Sequence, residues 1–549
     1  MIHTPRSLAS LLPTVAAMVL AVGAGGAFAI DFPGPDPGPA RAAIQGDTIT
    51  LENNVLRFTW TTTGGHLRPK EFVDKLNGKT LSLAGSECFR VVAEDSPSPH
   101  PRILNASQLA IVGKPQESSL QDARRFNGKQ IAVAFKGGSS WNATLSDSAN
   151  YVRQDVNVFA APFMPKPAQA REVVLWDFAV PDARVSGTVD GCPITAGSVF
   201  CACESPLARH EVCDPPLAGD VQKRCRGTVS VTQAQGLGIV LPIDCVLGVA
   251  PDGAMRRAFL YYLERERAHP YRPFLHYNNG SEIGCEYWGK KLYKSAAEAE
   301  QFRMKQESLW LGDIRAIGEE LVRKRGVKID SFVHDFEWDD ETLVWQFHRG
   351  YPQGFGPAAA LAKQYGANVG VWFSPWGGYP GKKARIESGR KMGFEANAMG
   401  LSLAGPRYAR RLAAACENMI DLFDAAYFKF DGFGAGNNQP GAGPYASDVE
   451  ALLELTAEMR SLEFLRGRPA PSAIFINATT GSWPSPFWLR WADSIWRQGA
   501  DTGMLGKGSD RQRWITYRDN EVYHRIVEQS PLFPLNSLMI HGVFVNDLP

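Results

Sequence analysis

The chain has 549 residues, enough for two or three domains. With 44% apolar and 21% charged residues it has the balance of a globular protein rather than a disordered one. Its formal net charge of +1 provides no electrostatic footprint for nucleic acid or for an anionic membrane surface, which sets nucleic-acid partners aside. The 14 tryptophans make a carbohydrate a candidate partner, because flat aromatic faces stack on the C–H faces of sugar rings.

In chain order, Arg6 precedes an apolar run over 11–22, and Ala27-Phe28-Ala29 closes it with the small-x-small pattern of a secretory leader. The run is too short to span a bilayer, and no later stretch of about 18 apolar residues follows. Residues 1–29 therefore read as a signal peptide, and the remainder as an exported protein, periplasmic or extracellular, with no membrane span.

Residues 30–265 read as a β-sandwich domain. Short alternating segments at 48–52, 55–61, 130–135, 151–159, 172–178, 227–231 and 238–241 are separated by turn residues, with no long helical period. The chain carries 9 cysteines, and Cys192, Cys201, Cys203, Cys213 and Cys225 crowd one loop-like stretch. In an exported chain this predicts several disulfides between 192 and 225. The uneven gaps do not fit a zinc spacing, so no metal is expected. The odd count leaves a free thiol, with Cys416 on a predicted helix as a candidate.

From 266 to 549 apolar strands alternate with helices. The strands are predicted at 274–277, 331–334, 368–373, 426–430, 473–476, 488–491 and 537–540, and the helices at 296–325, 355–365, 406–423, 447–460 and 509–528. Such alternation implies a parallel sheet closed as a (β/α)8 TIM barrel, the α/β catalytic part of a multidomain protein. Only seven strands are counted, so the barrel reads as incomplete at its C-terminus. Either an eighth strand lies in a stretch read otherwise, or the chain continues.

Barrel enzymes carry reactive groups at the C-terminal ends of their strands. Those ends read here His334-Asp335-Phe336-Glu337-Trp338-Asp339-Asp340, Trp372-Phe373-Ser374-Pro375-Trp376, Lys429-Phe430-Asp431-Gly432, Asn477-Ala478-Thr479-Thr480 and Arg490-Trp491-Ala492-Asp493. Carboxylates interleaved with tryptophan suit cleavage of a glycosidic bond. One carboxylate serves the oxocarbenium-like centre and another protonates the leaving oxygen. Asp339 and Asp340 read as solvated loop charges.

Residues 270–545 resemble the clan of α-galactosidases, the melibiase-like glycoside hydrolases with an N-terminal β-sandwich before the barrel. The family's strand-four K-x-D matches Lys429-Phe430-Asp431, and its strand-two L-D-D-G-W is similar to 334–338. Its P-x-G and G-L-W-F-x-P resemble 352–354 and 370–375, and its Arg followed by Ala-Asp resembles 490–493. The resemblance implies a retaining α-glycosidase acting on terminal α-galactosides or α-N-acetylgalactosaminides, with no cofactor. It implies Asp431 as nucleophile and Asp493 as acid/base, with Asp501 and Glu337 as rivals for the second role. Asp335, Trp338, Trp372, Lys429, Asn477 and Arg490 are the expected sugar-binding residues. Three positions depart from the family: Phe336 replaces its second strand-two Asp, Ser374 replaces a Glu, and the strand-five end lacks its Cys-Gly-rich pattern. These departures put galactose specificity in question. They leave two alternatives, a relative that transfers glycosyl groups between sugars and an inactive carbohydrate-binding protein.

Overall fold

The computed structural model describes residues 30–94, 102–121, 126–157, 169–213, 223–230, 243–280, 295–379, 381–432, 445, 447–467, 473–540 and 542–543. The predicted leader and the predicted strand at 238–241 lie outside them.

Up to Val249 the named strand pairs are antiparallel and build three sheets. Five strands follow chain order from Arg41–Gln45 to Lys79–Ser82. A second sheet of eight runs from Ala183–Val185 at one edge to Ile111–Gln121 at the other, and a third of five runs from Arg209–Cys213 to Arg102–Asn105. The two-residue period of the sequence supplies the inner faces. In Ser140–Ser146, for example, Trp141, Ala143 and Leu145 are all fully buried. Trp60 and Trp141 both donate to the buried Gln154 Oε1, at 3.3 and 3.2 Å, so the core aromatics leave no orphaned indole there. The helix Met255–Glu266 adds Phe259, Tyr262 and Leu263 to the same core.

The cysteine reading is corrected here. The crowded stretch is not a loop: Cys201 and Cys203 lie on Val199–Cys203, and Cys213 and Cys225 on two paired strands. The eight described cysteines are all free, and only Cys213 is exposed. Burial pushes the Cys225 thiol up to about 12, which leaves it a thiol rather than a reactive thiolate.

The second half contains six parallel strands whose spatial order follows the chain: β1 (His276–Asn278), β2 (Ser331–His334), β3 (Asn368–Phe373), β4 (Tyr427–Phe430), β5 (Phe475–Ala478) and β6 (Ser494–Ile495). β2 and β3 occupy the predicted residues, whereas the predicted sixth strand at 488–491 does not. There the chain forms a 3-10 helix, Pro486–Arg490, opened by Ser485, whose hydroxyl accepts from Phe487 N. The strand itself follows at Ser494–Ile495. The predicted seventh strand is reduced to one parallel bridge, Ile495↔Leu538, and a second bridge joins Tyr277 to Val543. Segment 538–543 therefore touches both edges of the curled sheet, and no eighth strand occurs among the described residues. The helices Gly356–Lys363, Pro406–Phe423 and Asp448–Leu465 bury Leu361, Leu412 and Leu452 in the core that covers the sheet's outer face.

Candidate active site

In β4 the sequence Tyr-Phe-Lys-Phe alternates faces. Phe428 and Phe430 enter the core shared with the helices, while Lys429 points the other way, to Asp335. Asp431 continues the ladder, its amide donating to Phe373 O at 2.7 Å. Gly432 then turns the chain at φ +81° so close to Trp376 that a Cβ would lie 1.8 Å from its Nε1. That close approach explains the glycine after the Asp.

The half-buried Asp431 carboxylate is surrounded by neutral donors from two neighbouring strands. Trp372 Nε1, near the end of β3, donates to Oδ2 at 3.1 Å. Tyr379 OH, from the loop after β3, donates to Oδ1 at 3.2 Å. Thr480, two residues past β5, donates its hydroxyl to the same oxygen, and Thr479 Oγ1 lies 3.5 Å away. Asp431 is thus oriented from three sides by groups that carry no formal charge.

Next to it lies a buried ion pair. Lys429 Nζ donates to Asp335 Oδ2 at 2.7 Å, and Asn278 Nδ2, at the end of β1, donates to the same oxygen at 2.8 Å. Burial by itself would raise the Asp335 carboxyl, but the Lys429 charge and these hydrogen bonds outweigh it and hold the group below its ordinary value. Burial would likewise lower Lys429, but the negative charges of Asp335, Asp431 and, further off, Asp501 raise it. A lysine fixed as a cation beside a fixed carboxylate offers both donors and acceptors to vicinal hydroxyls.

Four expected site residues stand elsewhere. Asp493 precedes β6 instead of ending it, and its amide donates to Ile476 O at 2.8 Å. Ile476 pairs with Phe428, three residues before Asp431, which is roughly 10 Å lower along the strands. Its carboxylate is fully engaged: Arg460 Nη2 and Ile476 N donate to Oδ2 at 2.7 and 2.8 Å, and His269 Nδ1 lies 3.2 Å from Oδ1. Burial alone would raise this carboxyl, but Arg460 and His269 hold it far below the ordinary carboxylate range. A general acid needs the opposite. Asp493 belongs to an ion cluster at the N-terminal end of the sheet, where it lines a cavity of about 260 Å³ with Phe274, Tyr427 and Phe475.

Arg490 pairs with Glu204 and Asp244 at 3.3 and 2.7 Å, tying the 3-10 helix to the N-terminal sheets rather than facing the pocket. Trp338 is fully buried, its Nε1 donating to Trp372 O at 2.9 Å, so it supports the wall without forming it. Asn477 is level with Lys429 but donates to Tyr427 OH at 2.9 Å and lines the opposite cavity.

Of the expected residues, the structure brings together Asp431, Lys429, Asp335 and Trp372. It adds Tyr379, Thr480 and Asn278. Thr480 was visible at a strand end. Asn278 could have been suspected as the polar residue closing β1, but nothing in the sequence marks Tyr379, which depends on the path of a loop through Gly377 and Gly378. Beyond the end of β6 lies Asp501, whose Oδ1 is 3.2 Å from Arg497 Nη2 and whose side chain is 33% exposed. Glu337, after β2, is buried with φ +68°, a strained conformation for a residue with a side chain. Among the described residues no cluster of three or more His, Cys, Asp or Glu could hold a metal ion. None of the described helices is long and apolar enough to cross a membrane.

No known family profile matches the chain, and no curated protein matches its sequence. Among solved structures it is similar to a GH31 α-xylosidase from a soil metagenome, at 12% identity over 94% of this chain and 67% of that one, with a TM-score of 0.36. It is also similar to the Thermus thermophilus α-galactosidase, at 12% identity over 75% and 83%, with a TM-score of 0.34. A third is the Flavobacterium johnsoniae GH31 dextranase, at 10% identity and a TM-score of 0.35, with 88% of this chain matched. The chain spans 59% of that dextranase.

Proposed function

We propose that this protein is an exported retaining α-glycosidase with Asp431 as nucleophile. The observation that carries this reading is the Asp431 carboxylate, presented at a strand end by Trp372, Tyr379 and Thr480 beside the Lys429–Asp335 pair. Neutral donors orient a carboxylate without neutralising it, which suits attack on an anomeric carbon. The cation–carboxylate pair suits recognition of neighbouring sugar hydroxyls, and the buried Trp372 acts through its indole N–H, which fixes the nucleophile.

For the acid/base we propose Asp501 in place of Asp493. It follows the end of β6, is partly exposed, and its charge reaches Lys429 together with those of Asp335 and Asp431. In the first step Asp431 attacks the anomeric carbon while Asp501 protonates the departing oxygen. In the second, water gives its proton to Asp501 and displaces the sugar from Asp431, with overall retention. An α-galactoside or α-N-acetylgalactosaminide is the substrate class favoured by the motif resemblance. The leader-like residues 1–29 support export.

The test is a panel of aryl α-glycosides with wild type, Asp431→Asn and Asp501→Asn. Asp431→Asn should lose at least about a thousandfold in kcat, the scale on which removal of a covalent nucleophile acts. Asp501→Asn should retain far more activity on substrates with good leaving groups than on natural glycosides. Undiminished turnover in Asp431→Asn would refute the assignment.

A further inference from the structure

Asp339 is not the solvated charge its context predicts. It is fully buried, and Arg385 grips its carboxylate in a fork, with Nε and Nη2 at 3.0 and 2.9 Å. The two side chains are 0% and 1% exposed. Removing both ions from water costs several kcal/mol each, and the fork offsets this only when the remaining donors also find partners. One of them does so at an informative place: Arg385 Nη1 donates to Gly377 O at 2.5 Å. That carbonyl begins the short loop carrying Tyr379 to Asp431.

The packing around the fork is equally tight. Gly378, at φ +82°, lies so close that a Cβ would come within 2.8 Å of the Trp372 ring and 3.0 Å of Arg385 Nη1. The guanidinium also sits 4.6 Å from the centre of the Trp345 ring, which meets the Trp372 ring at 6.1 Å. Val344 and Trp345 hold φ +50° and +62°, and such strain persists only where the surroundings over-determine it. Arg385 therefore touches the loop after β2, the loop after β3 and the glycine packed on Trp372. Both direct donors from the β3 region to Asp431, Trp372 and Tyr379, depend on this arrangement.

We infer, resting on the glycosidase reading above, that Arg385 is a positioning residue: by stapling Asp339 to Gly377 it holds Tyr379 and Trp372 in donating distance of Asp431. It touches neither substrate nor the reacting atoms. Its influence reaches Asp431 through the two donors that fix the position of the carboxylate. The other groups facing Asp431 are Lys429 on its own strand, with Asp335 and Asp501 around that lysine, and the Thr479 and Thr480 hydroxyls from β5.

The experiment compares wild type, Arg385→Met, Arg385→Lys, Tyr379→Phe and the Arg385→Met/Tyr379→Phe double variant. Arg385→Met should lose roughly a hundredfold in kcat, the cost of about 1 Å of misplacement, with KM changed by less than about threefold. Tyr379→Phe should also lose kcat, and the double variant should lose no more than Arg385→Met alone, because Arg385 already acts through the Tyr379 hydrogen bond. Arg385→Lys keeps the charge without the fork and should recover only part of the loss. Unchanged kcat per folded molecule, or fully additive losses, would overturn the inference, since a purely structural role lowers stability without changing turnover by the folded fraction. A crystal structure of Arg385→Met reads the same point without turnover. Tyr379 OH should lie more than about 3.5 Å from Asp431 Oδ1, and an unchanged hydrogen bond overturns the claim. If the wild type turns over no glycoside, the functional reading fails while this structural readout still decides the role of Arg385.

Discussion

Asp431 and Asp493 lie toward opposite ends of one parallel sheet, and their surroundings differ in kind. Indole, phenol and hydroxyl groups meet Asp431, and each gives a hydrogen bond without giving a charge. A guanidinium, an imidazole and a backbone amide meet Asp493, and both of its oxygens are taken. Neutral donors orient a carboxylate and leave it able to form a new bond, whereas paired cations commit it to the fold. Between Asp431 and Asp493 the charge of the donors differs more than their number; Asp501 also meets a guanidinium, that of Arg497, but stays 33% exposed.

The comparison breaks first at Asp493. Asp493→Asn should leave Arg460 and His269 with Glu463 alone as their counter-ion, at 3.5 and 3.0 Å, and cost about 3 kcal/mol of stability, measured as a lower urea midpoint. Turnover per folded molecule should be unchanged. A variant that kept its stability and lost turnover would restore Asp493 to the reaction.

Acid titration sharpens the same point. Asp493 is depressed in the folded protein, so its contribution is complete above the unfolded value of about 3.9 and fades as pH falls below it, because the unfolded chain takes up the proton first. Unfolding curves between about pH 5 and 3 should therefore steepen for wild type relative to Asp493→Asn. Equal slopes would mean that the cluster does not hold this carboxylate ionised.

The smallest effect is expected at Arg490. Glu204 and Asp244 keep Arg153 as a partner, at 2.8 and 2.9 Å, when Arg490 is removed. Arg490→Met should cost only about 1–3 kcal/mol, with KM unchanged, and a raised KM would return Arg490 to the sugar pocket.

Legibility from sequence followed the strength of the local signal. β2, β3 and the helix Pro406–Phe423 stand where the apolar pattern placed them, because the two strands are buried along almost their whole length and the helix buries one face through Tyr408, Leu412, Cys416 and Met419. The sixth strand was misplaced because Trp488, Leu489 and Trp491 look like a strand, although Ser485-Pro486 is a helix-opening pair. That shift carried Asp493 from the N-terminal end of β6 to its C-terminal end on paper, and with it the acid/base assignment. The cysteines were misread for a related reason: turn residues around 192–225 suggested a loop, while the strand period of Cys201 and Cys203 was too short to stand out. Asp339 could not be read at all, since its partner lies 46 residues away on the helix Lys382–Lys391. Tyr379 is equally silent, because a loop's path is decided by what packs beneath it.

The double contact of segment 538–543 bears on the order of events during folding. Tyr277 and Val543 are 266 residues apart (543 − 277), and their bridge joins the first strand of the sheet to its last segment. Closing a loop of that length costs about 5 kcal/mol of chain entropy before any contact repays it. The edges of β1 and β6 must therefore wait for a partner until the final turn is made, and in that interval they are open to pairing with another chain. A ribosome adding about 5–20 residues per second needs tens of seconds to pass from β1 to Val543, and for that long the edge of β1 has no partner from this bridge.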